Sequence, residues 1–370
     1  MDLTPTEEQR LLRESVERFA AGRYAPDQRK RHATGPHGYN AEMWAEMAGL
    51  GWLALKVPEA LGGLGAGAVE AGIVMEGAGR ALMAEPLLPA MVAASVIAAV
   101  ASPVQAERWL PAIGEGRLLA ILAHSERHMR LDRGTIRTEA MRDGEGWRLR
   151  GAKDGVMAGG AAGLLLVTAR IGTGMGVFAV EAGAAMQCYP VVGGGIACNL
   201  SLDVLLGPDA LLGGCHDAEP AVAAALDAAC AALAAESVGC MTALLSATTA
   251  YTRTRTQFGR PLSDNQVLRH RMVDMAIACE EARAIALRAA LLMDGPADTR
   301  ARAASAAKAR TSRAARFVAD QAVQLHGGMG VTNELDVGDY FKRLLAIDAQ
   351  YGTGAEHLAR HARLREPSWT

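Results

Sequence analysis

Apolar and polar positions recur with a helical period over the first third of the chain. Leu11, Leu12, Val16 and Phe19 fall on one helical face, and Thr4-Pro5-Thr6-Glu7 before them supplies a Thr N-cap, Pro at the first helical position and Glu at the third. A second helical stretch begins near Ala41 and breaks at Pro58-Glu59-Ala60-Leu61-Gly62-Gly63; a third covers 68–81 and a fourth follows Pro89. From about 118 to 212 the texture changes to short β-like runs at 147–150, 164–169 and 177–181. Asp143-Gly144-Glu145-Gly146 and Ile171-Gly172-Thr173-Gly174-Met175-Gly176 suit hairpin connections between such runs. After Pro220 helical patterns return at 221–254, 265–293, 301–325 and 354–365. The pattern predicts an α+β, mainly α, architecture: an N-terminal helical domain (1–117), a small antiparallel β domain (118–215) and a C-terminal four-helix bundle (216–370).

Composition narrows this further. Half of the 370 residues are apolar, yet only 5 Trp, 6 Tyr and 5 Phe are present, so Ala, Leu, Val and Met must build the core by close helix packing. Lys and Arg total 38 against 40 Asp and Glu. This lacks the basic excess of a general nucleic-acid binder. The longest uncharged apolar stretch, 87–102, contains Pro89 and is shorter than the roughly 20 residues a membrane span needs, so no membrane association is expected. No basic region followed by an apolar run opens the chain, and a cytoplasmic location is the expectation. Cys188, Cys198, Cys215, Cys230, Cys240 and Cys279 show no Cys-x-x-Cys pair and no zinc spacing, so no metal site is expected and all six are read as reduced, mostly buried thiols.

The phosphate-loop, His-Glu-x-x-His and Gly-x-Ser-x-Gly signatures are absent, and Gly172-Thr173-Gly174-Met175-Gly176 lacks the last glycine and following helix of a dinucleotide fingerprint. Two other segments carry candidate chemistry. In Tyr251-Thr252-Arg253-Thr254-Arg255-Thr256-Gln257-Phe258-Gly259-Arg260-Pro261-Leu262 a long helix ends; Arg255 offers a bidentate fork to phosphate, Gln257 an amide, and Gly259 close backbone approach. The same residues serve equally as a cationic helix C-terminus stopped by Gly and Pro. In Gln324-Leu325-His326-Gly327-Gly328-Met329-Gly330 a helix ends in glycines whose bare amides would suit a pyrophosphate, or simply cap the helix. Arg360, Arg363 and Arg365 on the last helix are explained by its dipole.

These two segments resemble motifs of the acyl-CoA dehydrogenase superfamily of flavoproteins. Gly51-Trp52-Leu53-Ala54-Leu55-Lys56-Val57-Pro58-Glu59 with Gly62-Gly63-Leu64-Gly65 and Glu76-Gly77-Ala78-Gly79-Arg80 resemble its N-terminal domain, and Trp147 to Lys153 its β domain, so the likeness covers nearly the whole chain in order. The resemblance implies FAD bound jointly by oligomer subunits. Arg255 and Gln257 then reach the flavin's pyrophosphate region across an interface, Phe258 packs near the adenosine, and Gln324, Gly327 and Gly328 supply amide contacts. Ser125 and Glu126, within Ala123-His124-Ser125-Glu126, stand where the family has a longer loop against the flavin ring. Thr353, in the Gly-Thr pair beside the catalytic position, is a further cofactor-binding residue that the resemblance implies.

The implied reaction is α,β-dehydrogenation of an acyl-CoA thioester, a carboxylate removing the α proton while the β hydride leaves for the flavin, with an electron-transfer flavoprotein as acceptor. Here the chain departs from the family's pattern: before Gly352-Thr353, where many members carry the glutamate base, stands Tyr351, and a phenol with an ordinary pKa near 10 is a poor base at neutral pH. Some members carry the base on the helix before the Arg-x-Gln-Phe-Gly motif, where Asp227 and Glu236 are the only carboxylates between 221 and 263; Glu236, on an Ala-rich face, is the alternative candidate. Asp348 and Glu356 flank Tyr351 without evident aim at a flavin. The wording of the β domain, the shortened Ser-Glu loop and the ending from Tyr351 to His357 are most similar to the smaller subunits of heteromeric bacterial enzymes of steroid side-chain and related catabolism. That similarity leaves three expectations: a dehydrogenase, as homo-oligomer or heteromer; a non-catalytic partner subunit; or a flavin oxidase or monooxygenase of the same fold.

Overall fold

The computed structural model describes residues 3–364 apart from 34, 36, 128, 130, 132–135 and 182. Six helices open the chain: α1 (Glu7–Arg23), α2 (Pro26–His32), α3 (Ala41–Gly49), α4 (Ala68–Ala81), α5 (Leu87–Val100) and α6 (Pro103–Gly114). Thr6, rather than Thr4, caps α1. Its hydroxyl accepts the Gln9 amide at 3.2 Å while Gln9 Oε1 accepts the Thr6 amide at 3.1 Å, because Thr-x-x-Gln closes the reciprocal box as well as a glutamate would. The buried face of α1 is then Val16 and Phe19, and Leu11 is exposed.

A seven-stranded sheet follows: β1 (Ala120–Ala123), β2 (Glu139–Asp143), β3 (Gly146–Met157), β4 (Leu164–Ile171), β5 (Gly174–Val180), β6 (Ala185–Pro190) and β7 (Ile196–Leu206). Both expected hairpins form, with Asp143 opposite Gly146 and Ile171 opposite Gly174 around two-residue turns whose glycines, Gly144 and Gly172, take positive φ. The sheet is mixed rather than antiparallel throughout: β1 pairs parallel with β4 along 164–167, and β2 does so at Arg170. Strand composition is local and says nothing of which distant strand a given one meets, or in which direction.

The cysteine expectation also needs correction. β6 and β7 place Cys188 directly opposite Cys198, with Cα atoms 4.0 Å apart, and the two form a disulfide. Their spacing of ten residues spans a hairpin and matches no motif, so only strand register brings them together. Cys230, Cys240 and Cys279 are the buried thiols that were expected, and Cys215 is half-buried.

The rest of the chain is helical: α7 (Glu219–Thr254), a hairpin of β8 (Thr256–Gln257) and β9 (Arg260–Pro261), then α8 (Gln266–Leu291), α9 (Ala297–His326), α10 (Val337–Ala349) and α11 (Gly354–Leu364). Arg365 lies outside the described residues. α7 is long and apolar enough to cross a bilayer, but 72% of its apolar window is buried within the protein, as in a core helix. Along α9 the buried positions Ala301, Ala304, Lys308, Thr311, Ala315, Val318, Ala322 and Leu325 trace one helical stripe, and the stripe contains a lysine.

Contacts gather the chain into two compact units, one of residues 1–30, 68–83 and 230–370 and the other of 31–67 and 84–229. In the first, α4 crosses α7 at backbone distance. A Cβ on Gly79 would lie 2.1 Å from the Glu236 carbonyl oxygen, and one on Gly239 1.9 Å from that of Glu76, so both positions require glycine. In the second, Trp147 on β3 packs edge-on against Phe178 of β5 at 5.3 Å in the sheet's core.

Candidate functional site

The first unit assembles the two segments singled out in the sequence. After α7 ends, Thr256 to Pro261 form the β8–β9 hairpin, in which Gln257 pairs with Arg260 across Phe258-Gly259. Both turn residues take positive φ, 54° and 77°, the pattern of a type I′ turn. Phe258 is therefore held at the tip in a conformation an aromatic residue rarely adopts, and it is 99% exposed. Arg255 and Gln257 are exposed too. Arg255 has no ion pair among the described residues, and the Gln257 amide donates only to the adjacent Thr256 carbonyl at 2.9 Å.

At the end of α9, Gly327 takes φ 59° and ψ −139°, and a Cβ added to Gly327 or Gly328 would meet nothing within 4 Å. Open space thus faces bare backbone, and Gln324 one turn earlier is exposed. Tyr251 and His326, neither singled out from the sequence, join the two segments: their rings stack at 4.4 Å, and the Tyr251 hydroxyl donates to the His326 carbonyl at 3.4 Å. Burial lowers the His326 imidazole below its ordinary pKa, so this contact is between neutral rings at pH 7. An aromatic at the end of each helix was the available signal, though only packing makes it a pair. Arg255, Gln257 and Phe258 thus belong to the same unit as Gln324, Gly327 and Gly328.

Ser125 and Glu126 belong to the other unit. Ser125 is exposed. Glu126 is turned inward, where its carboxylate accepts from the amides of Arg137 at 2.7 Å and Thr138 at 3.1 Å and from Lys153 Nζ at 2.8 Å. Burial alone would raise this carboxyl, but Lys153 and the two hydrogen-bonding neighbours outweigh it and hold the pKa below the usual value. Lys153 is fully buried and also donates to the His124 carbonyl and Thr168 Oγ1, at 3.2 and 3.1 Å; desolvation brings its pKa down to about 8 against the pull of Glu126. Glu126 is therefore tied to Arg137, Thr138 and Lys153 and offers no free carboxylate.

The turn between α10 and α11 carries Tyr351, which is half-buried at φ 53°. Burial pushes its phenol further above the ordinary value, away from use as a base. Lys308 from the α9 stripe holds this turn: its buried ammonium donates to the carbonyls of Asp348, Gln350 and Gly352 at 2.9, 2.7 and 2.7 Å, one for each N–H. His357 Nε2 lies 3.0 Å from the Tyr351 carbonyl and 3.6 Å from Cys230 Sγ. The neighbouring carboxylates are engaged locally. Asp348 accepts the Gly354 amide at 2.9 Å, and Glu356 accepts the amide and hydroxyl of Thr353 at 2.9 and 3.0 Å, closing a capping box at the start of α11. Thr353 is thus committed to that cap. Glu236 is buried and its Oε1 accepts from Arg343 Nε at 2.6 Å, while Oε2 has no hydrogen-bond partner among the described residues. Asp227 is buried as well. No cluster of metal-ligating side chains occurs among the described residues.

The acyl-CoA dehydrogenase N-terminal domain model matches residues 6–117, and the C-terminal domain model residues 220–363. The chain belongs to the acyl-CoA dehydrogenase family and is an oxidoreductase. It is 32% identical over 351 residues to the acyl-CoA dehydrogenase FadE12 of Mycobacterium tuberculosis, covering 90% of this chain and 89% of that protein. Among solved structures, a Tcur3481-Tcur3483 steroid ACAD variant superposes with TM-score 0.88 at 30% identity over 97% of both chains. The ChsE4-ChsE5 complex from Mycobacterium tuberculosis does so with TM-score 0.89 at 27% identity over 98% of both.

Proposed function

We propose that this chain is an FAD-binding subunit of an acyl-CoA dehydrogenase that acts in lipid or steroid side-chain catabolism and requires a second protomer to complete its flavin site. The β8–β9 hairpin carries the proposal: a strained, fully exposed Phe258 beside an exposed Arg255 that makes no ion pair among the described residues is costly on a lone monomer and useful only against something else. The residues present fit the cofactor. Arg255 and Gln257 would hold its pyrophosphate region, and the open backbone at Gly327 and Gly328 would receive it without a side chain in the way. FAD supplies a hydride acceptor when bound. Kinship with a steroid ACAD and with a two-component complex supports both the substrate class and a hetero-oligomer, and an electron-transfer flavoprotein is the acceptor we assign.

In this reading Tyr351 does not take the α proton, and the base comes from the partner subunit. The observation favouring this is that Asp348, Glu356 and Glu236 are each held by a cap or an ion pair. The test is purification alone and after co-expression with candidate partner subunits, with flavin absorbance and solution mass read together. A yellow oligomer bleached by an acyl-CoA only when the partner is present is expected. Phe258→Ala should lose flavin and assembly while its melting temperature as a monomer changes by less than about 2 °C. A chain that stays colourless and monomeric with every partner overturns the proposal, and full bleaching of a homo-oligomer would return the base to this chain.

A further inference from the structure

We propose that Cys188 and Cys198 form a thiol-modification site: a dithiol reductant opens their bond at Cys188 and releases the edge strand β6. β6 ends the sheet path and all six of its residues are exposed, so no buried side chain of its own holds it down. Its hydrogen-bonding and covalent ties among the described residues are the backbone ladder to β7, a 3.0 Å hydrogen bond from the Tyr189 hydroxyl to Asn199, and the disulfide. Pro190 has no amide to contribute to the ladder. Cys198, by contrast, is fully buried on β7, opposite Val156 of β3. The bond therefore runs from an exposed residue on the edge to an anchored one inside.

The turn beneath the bond leaves room for it. A Cβ on Gly160 would lie 2.9 Å from Cys188 Sγ and 3.2 Å from Cys198 Sγ, so a glycine there lets the 159–161 turn pack directly against both sulfurs. Cys240 and Cys279 are poorly suited to exchange. Burial pushes Cys279 up to about 11 and Cys240 higher still, which leaves almost no thiolate at neutral pH. In the exchange, a reductant thiolate attacks Cys188 Sγ, the S–S bond breaks, and Cys198 leaves as a thiolate that takes up a proton. The reductant's second thiol then attacks the mixed disulfide and frees Cys188, so two electrons and two protons pass to the protein as the dithiol becomes a disulfide. The register of β6 and β7 keeps the sulfurs opposed, which allows an oxidised dithiol to close the bond again.

The test equilibrates the intact protein in mixtures of reduced and oxidised dithiothreitol, traps free thiols by alkylation, and locates them by peptide mass. A 188–198 linked peptide is expected on the oxidising side. On the reducing side Cys188 becomes alkylated while Cys230, Cys240 and Cys279 stay protected. Hydrogen exchange over 185–190 should then rise at least about tenfold, with 164–171 unchanged. Cys188→Ser should show the same fast exchange in both buffers. Absence of the linked peptide on the oxidising side, or equal exchange over 185–190 in the two redox states, overturns the proposal.

Discussion

Each compact unit holds a buried lysine among its described residues, and the two lysines are satisfied differently. Lys153 meets a carboxylate, Glu126, and also holds the His124 carbonyl just after β1. Lys308 meets three main-chain carbonyls and fixes the turn that carries Tyr351. The difference matters because an ion pair can be removed as a pair, whereas backbone acceptors cannot be mutated away. The first arrangement depends on a matched charge, the second on one cation with no replaceable counterpart.

The strongest way to break the comparison is Lys153→Met, which strands the Glu126 charge in the interior and should cost about 4 kcal/mol in chemical denaturation. Adding Glu126→Gln should recover more than half of that loss; equal stabilities for the single and double variants would show the two groups to be uncoupled. Lys308→Met should cost about 3 kcal/mol, because Met fills the volume and leaves carbonyls without donors. No change in the turn's side chains should rescue it, and hydrogen exchange should quicken at 348–353 while the sheet stays protected.

A smaller and sharper test uses pH. Lys153 in the folded protein titrates near 8, below its ordinary 10.5, so between those values the unfolded chain binds more protons and rising pH favours the folded state. The stability of wild type relative to the Glu126→Gln/Lys153→Met double variant should therefore climb by roughly 1–3 kcal/mol from pH 8 to 10.5. Glu126 works at the other end. Its lowered folded pKa stabilises the protein above the ordinary carboxylate range, and that contribution disappears as pH falls through the folded value. A difference curve flat at both ends would mean that the pair is hydrated in solution.

Much of the fold was legible because its signals are local. The glycines of the two sheet hairpins, the period of α9 and the break at Phe258-Gly259 each involve residues within a turn or two of one another. α10 went unrecognised; it follows a glycine-rich turn with no strong N-cap, its Asp336 making no side-chain cap bond. The candidate site was legible in part. The hairpin and glycine-turn residues were named from their order along the chain, but the inward aim of Glu126, the capping role of Thr353 and the Glu236–Arg343 pair depend on partners distant in sequence.

The linear chain by itself determined where the longer helices and three of the strands run, where the glycine turns of the two sheet hairpins fall, and that no glutamate precedes Gly352-Thr353. Only the tertiary structure decided that a lysine on an alanine stripe would bind three carbonyls, that Tyr251 would stack on His326, and that two cysteines without a motif would bond. The reason is that backbone propensity acts between near neighbours. Satisfying a buried charge or aligning two sulfurs requires groups that meet only when separate elements pack.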